Sequence, residues 1–348
     1  MKLAALRLHP HSLSLRQQWR SAAGEIASRD GWLVELVDSN GCSGWGECAP
    51  LPSHGTEDFA AAAAALNRWQ ATLPARRVAE ALRELAAHDA GLAPAARGAV
   101  ECALLDLLAT HAGQPLYAFL GGRATKHAVR VNAVAGAAID AAPAIARCLA
   151  DGYTIIKLKL GLSAPESELA ALASIAAMLP AEASLRLDAN RAWDADTAAR
   201  TLAGLASLPV ESVEEPLAAP DPGLLRRLQD DLPYPLALDE SVPAFVAPGR
   251  LRDYPVRRMV LKPGVVGGVL PALAVAQEAE AAGIECVVST AIEGACGTLA
   301  AAHLAAALHG DRAHGLGAIE WLEGAPTLIR EGRLQLPAAA GLGFHPPA

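Results

Sequence analysis

Aromatic residues are scarce: only 4% of the 348 positions, against 52% hydrophobic overall. Without large rings, Ala, Leu and Val must fill the interior, which favours helices packed on a sheet over an aromatic-rich β-sandwich. No cluster of Lys and Arg marks a phosphate-binding face, and the net charge is −8, so nucleic acid is an unexpected partner. Apolar runs such as Ala60 to Leu66 are too short to span a bilayer, which argues against a membrane partner. Six cysteines (Cys42, Cys48, Cys102, Cys148, Cys286, Cys296) form no C-x-x-C pair and show no zinc-like spacing with His. They read as buried free thiols of a reducing compartment. The first residues, Met1 to Arg7, lack a long apolar core and a cleavage site, so the expected location is cytoplasmic. No Gly-rich dinucleotide turn follows the first strand of the repeating region described below.

What is present changes along the chain. Residues 1 to about 50 alternate like strands: Leu3, Leu6 and Leu8 weakly, Trp32 to Val37 strongly, then Asp38-Ser39-Asn40-Gly41 as turn chemistry and Gly44 to Cys48 as a third strand. From Thr56 to Ala87 the pattern is helical, and Ala95 to His111 is another helix with Val100, Leu104, Leu107 and Leu108 on one stripe. This predicts an α+β capping domain over 1–95. From residue 129 the rhythm becomes strand then helix. Strand candidates begin near Val129, Thr154, Ser184, Pro209, Leu236, Arg258, Ile284 and, weakly, His314. Seven or eight such units predict a parallel sheet closed into a barrel over 96–324. The overall expectation is an α/β fold, a modified (β/α)7β TIM-like barrel. The last segment, 325–348, reads as a short hairpin and a Gly/Pro-rich tail that packs back on the cap.

Three predicted strands end in carboxylates: Asp188, Glu214 and Asp239. In a barrel, side chains at the carboxyl ends of strands converge on one mouth. Three converging carboxylates repel, and a hard divalent cation removes that penalty; oxygen-only ligands suit Mg²⁺, with Mn²⁺ able to substitute. Strand-end acids also serve as helix N-caps, which is the competing reading for each one alone. Lys157 and Lys159 are two apart and face the same side of their strand, where each should lower the other's pKa and suit it to act as a base. Lys262 ends the strand after that of Asp239, across the mouth.

The series K-x-K (157–159), D-x-N (188–190), E-E-P (214–216), D-E-S (239–241) and K-P-x-x-x-G-G (262–268) resembles the enolase superfamily. It is most similar to the muconate-lactonising-enzyme branch, which also holds dipeptide epimerases, N-acylamino acid racemases and o-succinylbenzoate synthases. The resemblance implies that Asp188, Glu214 and Asp239 ligate Mg²⁺ and that Glu215 does not. It implies that Lys159 removes a proton α to the carboxylate of a small substrate, with Lys157 supporting it and Lys262 on the other face. Gly44 to Pro52, Arg97-Gly98 to Asp106, and Gly315-Leu316-Gly317 resemble o-succinylbenzoate synthases most. That family implies a lyase of menaquinone biosynthesis, dehydrating 2-succinyl-6-hydroxy-2,4-cyclohexadiene-1-carboxylate. Ser53-His54-Gly55-Thr56 stands where that family more often has Gly-Phe-Ser, and Ser289 to Gly294 is close to its seventh-strand loop without matching it. Ser53, His54, Asn190 and Ser289 are the candidate substrate contacts.

Racemisation of N-acylamino acids or epimerisation of dipeptides is the alternative, using Lys159 and Lys262 as acid and base. Dipeptide epimerases usually carry a D-x-D near the eighth strand to hold the substrate ammonium; here the chain reads Gly317-Ala318-Ile319-Glu320-Trp321. A non-catalytic barrel that binds metal or a partner is the remaining alternative. Barrels of this kind often pair, so a homo-oligomer is an open expectation with no interface marked in the sequence.

Overall fold

The alternating apolar positions of the first fifty residues build a three-stranded antiparallel sheet: β1 (Leu3–Ser21), β2 (Gly24–Asp38) and β3 (Ser43–Cys48). This computed structural model describes residues 1–346 except 22–23, 88–92, 124–125 and 247–250; side chains of 17–21 and 24 also fall outside the description. Residues 347–348 of the expected C-terminal tail therefore lie outside the described residues. The first strand runs well past the weak Leu3–Leu8 signal because β2 offers it a partner to the end, with Arg20 opposite Glu25. Leu3, Leu6, Val34 and Leu36 turn one face of the sheet inward, against α1 (Phe59–Thr72), α2 (Val78–Ala87) and α3 (Pro94–His111). Gly44 and Gly46 face α3 so closely that a Cβ at either would run into its backbone, which explains the two glycines flanking Trp45.

The rest is a (β/α) barrel of TIM type. Seven parallel strands pair in chain order: β5 (Ala133–Ala137), β6 (Ile155–Lys159), β7 (Ser184–Asp188), β8 (Val210–Glu214), β9 (Leu236–Leu238), β10 (Arg258–Leu261) and β11 (Glu285–Val288). The strand expected near Val129 is not part of this sheet. It is β4 (Ala128–Arg130), which joins the C-terminal hairpin β12 (Ile329–Arg330) and β13 (Arg333–Gln335) in a small antiparallel sheet. Thus the hairpin pairs with the barrel's entry, and in the tail beyond it Leu342 N donates to Asp106 of α3 and the Phe344 ring meets Trp45 of β3. The weak eighth strand reduces to two bridges, Val131 to His314 and Ser289 to Gly315, which link both edges of the sheet to one segment.

Most barrel strands are buried on both faces, so they read as near-continuous apolar runs punctuated by the polar residues of the site. Helix α3 contributes to two cores, Leu104 and Leu107 to that of the cap and Leu105 and Ala109 to that of the barrel. Of the six cysteines, all unpaired, four are buried; Cys42 and Cys148 are only half-buried, contrary to the expectation for those two. No helix among the described residues is long and apolar enough to cross a membrane.

Candidate active site

Strand register assembles the site. Parallel pairing sets Lys159 beside Asp188 and Asp188 beside Glu214. Asp188, Glu214 and Asp239 each offer a carboxylate oxygen, and these lie within 4.8 Å of one another, all three residues buried. The helices that follow have their own caps: Asp194 accepts from Thr197 N at 2.8 Å and Asp221 from Leu224 N at 2.6 Å. Asp188 and Glu214 are therefore not the N-caps of the helices after them, which removes the competing reading of these strand-end acids. The group fits a hard divalent ion on chemistry alone: oxygen donors only, clustered, and shut off from water that would otherwise screen their repulsion.

Three lysines compensate the charge. Lys157 bridges Asp188 (2.8 Å) and Glu214; Lys159 reaches Asp188 and Asn190 Oδ1, both at 2.7 Å; Lys262 holds Asp239 at 2.8 Å from the other side. The expectation that Lys157 has a lowered pKa is overturned. Burial works in that direction, but Asp188 and Glu214 more than offset it and hold the ammonium charged. Lys262 is likewise raised, with Asp239 outweighing burial. Burial pushes Asp239 up to about 7, with Lys262 opposing, whereas burial of Asp188 is overcome by Lys157 and Lys159, which keep it ionised.

Glu215, the second acid of E-E-P, turns away from the cluster. Its carboxylate accepts from Asp239 N, Ser241 N and Ser241 Oγ, each at 2.7 Å, so it fixes the loop that presents Asp239. Asn190 has a positive φ of 44°, a conformation Asn tolerates better than most residues. Both ends of its amide are engaged, by Lys159 and by Glu240 Oε1 (2.7 Å), so its neighbours are the lysine and an acid and it is not among the residues lining the cavity.

The cleft above the acids spans about 520 Å³, counting the part that opens to solvent. His54 and Ser289 both line it, whereas Ser53 is exposed on the cap turn Pro52–His54 and contacts His54 Nδ1 at 3.2 Å. His54 is buried, and burial together with Lys262 and Lys159 keeps its imidazole neutral well below the usual range. Ser289 Oγ donates to Gly315 O at 3.0 Å. Val134, Ile292, Gly315 and Ala318 form an uncharged stretch of the lining, whose acids are Asp188, Glu214, Asp239 and Glu240.

Several site residues escaped the sequence reading. Arg186 lies two before Asp188, hence on the same side of its strand, and bonds Glu211 and Asn132; the two-residue alternation that paired Lys157 with Lys159 would have found it. Ile292 lies in the Ser289 to Gly294 loop that the family resemblance already picked out, but its conformation had no signal in the sequence. Its φ of 59° is unusual for a β-branched residue, and it is held by contacts from the cap: Arg29 donates to its carbonyl at 3.3 Å, and Glu47 takes Gly294 N at 2.6 Å and Gly297 N at 2.9 Å.

A barrel mouth carrying a buried acidic triad flanked by lysines could hold a divalent metal. Residues 140–347 match the "Enolase C-terminal domain-like" family, and residues 5–103 match "MenC, N-terminal domain". The hydrophobic dipeptide epimerase of Enterococcus faecalis is 30% identical over 99% of both chains, and that of Roseobacter litoralis 32% identical over 86% of this chain and 88% of its own. Among solved structures, the L-Ala-D/L-Glu epimerase of Bacillus subtilis superposes with a TM-score of 0.89 at 25% identity, covering 99% of this chain and 98% of the other. The E. faecalis dipeptide epimerase complexed with Mg and L-Leu-L-Tyr gives 0.89 at 28%, covering 99% of both. The muconate lactonizing enzyme of Pseudomonas fluorescens gives 0.88 at 26%, covering 98% and 96%. The chain belongs to the enolase superfamily, in its muconate-lactonising-enzyme-like branch.

Proposed function

We propose that this protein removes a proton α to the carboxylate of a substrate that carries no ammonium group, with Asp188, Glu214 and Asp239 holding Mg²⁺. The most favoured reaction is the syn dehydration that forms o-succinylbenzoate. The observation that carries the reading is the uncharged stretch of cavity wall formed by Val134, Ile292, Gly315 and Ala318, together with Glu320 of the eighth-strand segment, whose carboxylate accepts from the Tyr153 hydroxyl at 2.8 Å. A buried ammonium without a partner is costly, so the wall suits a ring or an acyl arm.

Abstracting that proton leaves two negative charges spread over the carboxylate and the α-carbon. The bound metal would supply positive charge where this builds up. Lys159 is the base. Its Nζ lies against Asp188 and Asn190, which orient it toward the mouth. After taking the proton, Lys159 returns it to the departing hydroxyl on the same face, so that water leaves and the ring becomes aromatic. Lys157, one residue-pair deeper, holds Asp188 and Glu214 together. Lys262 faces the opposite side, held by Asp239, and stabilises charge without exchanging a proton.

A second reading is favoured by that same lysine. Ammonium groups on opposite sides of the acid cluster also suit 1,1-proton transfer, and the similar epimerases make an N-acylamino acid the substrate class to compare. The test is an activity comparison on the cyclohexadiene carboxylate, N-succinyl amino acids and L,L-dipeptides, with α-proton exchange followed in deuterated water. Dehydration is expected. Turnover of N-succinyl amino acids alone would replace it with racemisation, and turnover of dipeptides alone would overturn the reading of the wall.

A further inference from the structure

A second group of metal-ligating side chains lies in the cap. At the end of β2, Asp38 has a fully buried side chain, and its Oδ1 accepts from Asn40 N (2.8 Å) and Cys42 N (3.0 Å). Its other oxygen, Oδ2, faces His111 Nε2 at 2.6 Å. Cys42, unpaired and half-buried, completes the group: a carboxylate oxygen, a thiol sulfur and an imidazole nitrogen all lie within 4.8 Å of one another. The His111 side chain is 34% exposed, which leaves an approach from solvent.

The two clusters differ in kind. The barrel's triad is oxygen-only and suits a hard ion, whereas one sulfur, one nitrogen and one oxygen suit a borderline ion such as Zn²⁺ or Co²⁺. Backbone geometry presets two of the three donors. The turn Asp38 to Cys42 is locked by Asp38 N donating to Cys42 O (2.9 Å) as well as by the two bonds to Oδ1. The third donor comes from the last residue of α3, so an ion here would tie the β2–β3 turn to that helix. Arg97, whose guanidinium bonds Gly267 of the loop after Lys262, lies near the other end of α3. At 1.5 Å per residue, fourteen residues put that contact roughly 20 Å from His111.

We infer that Asp38, Cys42 and His111 form a transition-metal site in the cap, separate from the Mg²⁺ site, holding Zn²⁺ through three protein ligands with a fourth position open to solvent. Binding requires the His111 Nε2 to give up its hydrogen bond to Asp38 Oδ2 and the Cys42 thiol to give its proton to solvent, so an ion bound there releases protons. An ion held there stabilises the sheet-to-helix junction of the cap and leaves the barrel chemistry alone.

The test is titration of the Mg²⁺-saturated protein with Co²⁺ and then Zn²⁺. One equivalent of Co²⁺ should bind with a sulfur-to-metal charge-transfer band in the near ultraviolet, Zn²⁺ should displace it, and the thermal midpoint should rise. Cys42→Ser should abolish the band, and His111→Ala should weaken binding at least tenfold, both leaving α-proton exchange unchanged. Absence of a thiolate band, or a band that survives Cys42→Ser, would overturn the site. Loss of α-proton exchange in the wild type, with Co²⁺ site occupancy intact, would instead count against the proposed barrel reaction.

Discussion

At the scale of single residues, the barrel mouth is a problem in charge. Three acids share a space of a few ångströms, and the chain surrounds them with Lys157, Lys159 and Lys262. If Lys159 is the base, Lys159→Ala should lower α-proton exchange at least ~10³-fold, within the range a general base contributes; substantial residual exchange would move that role elsewhere. Chelation should abolish exchange, and Mg²⁺ or Mn²⁺ should restore it, followed by proton NMR in deuterated water. Gly315→Ala would drive a methyl into Ser289, so KM should rise severalfold with a smaller change in kcat. The acids and lysines were legible because each ends a hydrophobic strand and the strands come in chain order. The charge state of Lys157 was not: a lysine pair in isolation suggests mutual repulsion, and only the folded side chains bring Asp188 and Glu214 against it.

At the scale of elements, the cap and the barrel meet through buried charges. Glu47 of β3 caps the segment Gly294 to Gly297 that leads into the helix Ala295–Ala307. Glu47→Ala would leave the buried Gly294 N–H without a partner, worth about 1–3 kcal/mol, and free the half-buried Gly297 N–H, and should lower the thermal midpoint. Because Gly294 follows the strained Ile292 in the cavity wall, KM should rise more than kcat falls, measurable by steady-state kinetics. Sequence alone could not pair Glu47 with a loop some 250 residues later. The strand pattern was more transparent, except where pairing partners decide the outcome. Val129 belongs to a strand whose partner is the C-terminal hairpin, and His314 contributes a bridge where a full strand was expected. Local patterning carries neither fact.

For the whole molecule, acid should act through buried histidines. His303 is fully buried; its Nδ1 accepts from Tyr117 N and its Nε2 faces Leu342 O, while burial depresses its pKa from 6.5 to about 4. The unfolded chain takes up the proton first, so the stability this residue contributes is full above pH 6.5 and is lost as pH falls toward 4. Replacing it by Gln should flatten the loss between pH 7 and 4 by on the order of 3 kcal/mol, read from denaturant unfolding at each pH.

Helix α3 has one last implication. Fifteen of its eighteen residues are buried, with the cap's core on one side and the barrel's on the other. A helix enclosed in this way belongs to neither partner alone. Chimaeras that graft a relative's cap by joining chains ahead of Pro94 would leave the new sheet facing a helix shaped for the old one, beginning with the glycines at 44 and 46. Exchange of specificity between members of this family is therefore better sought in the few side chains at the mouth than in whole-cap transplantation.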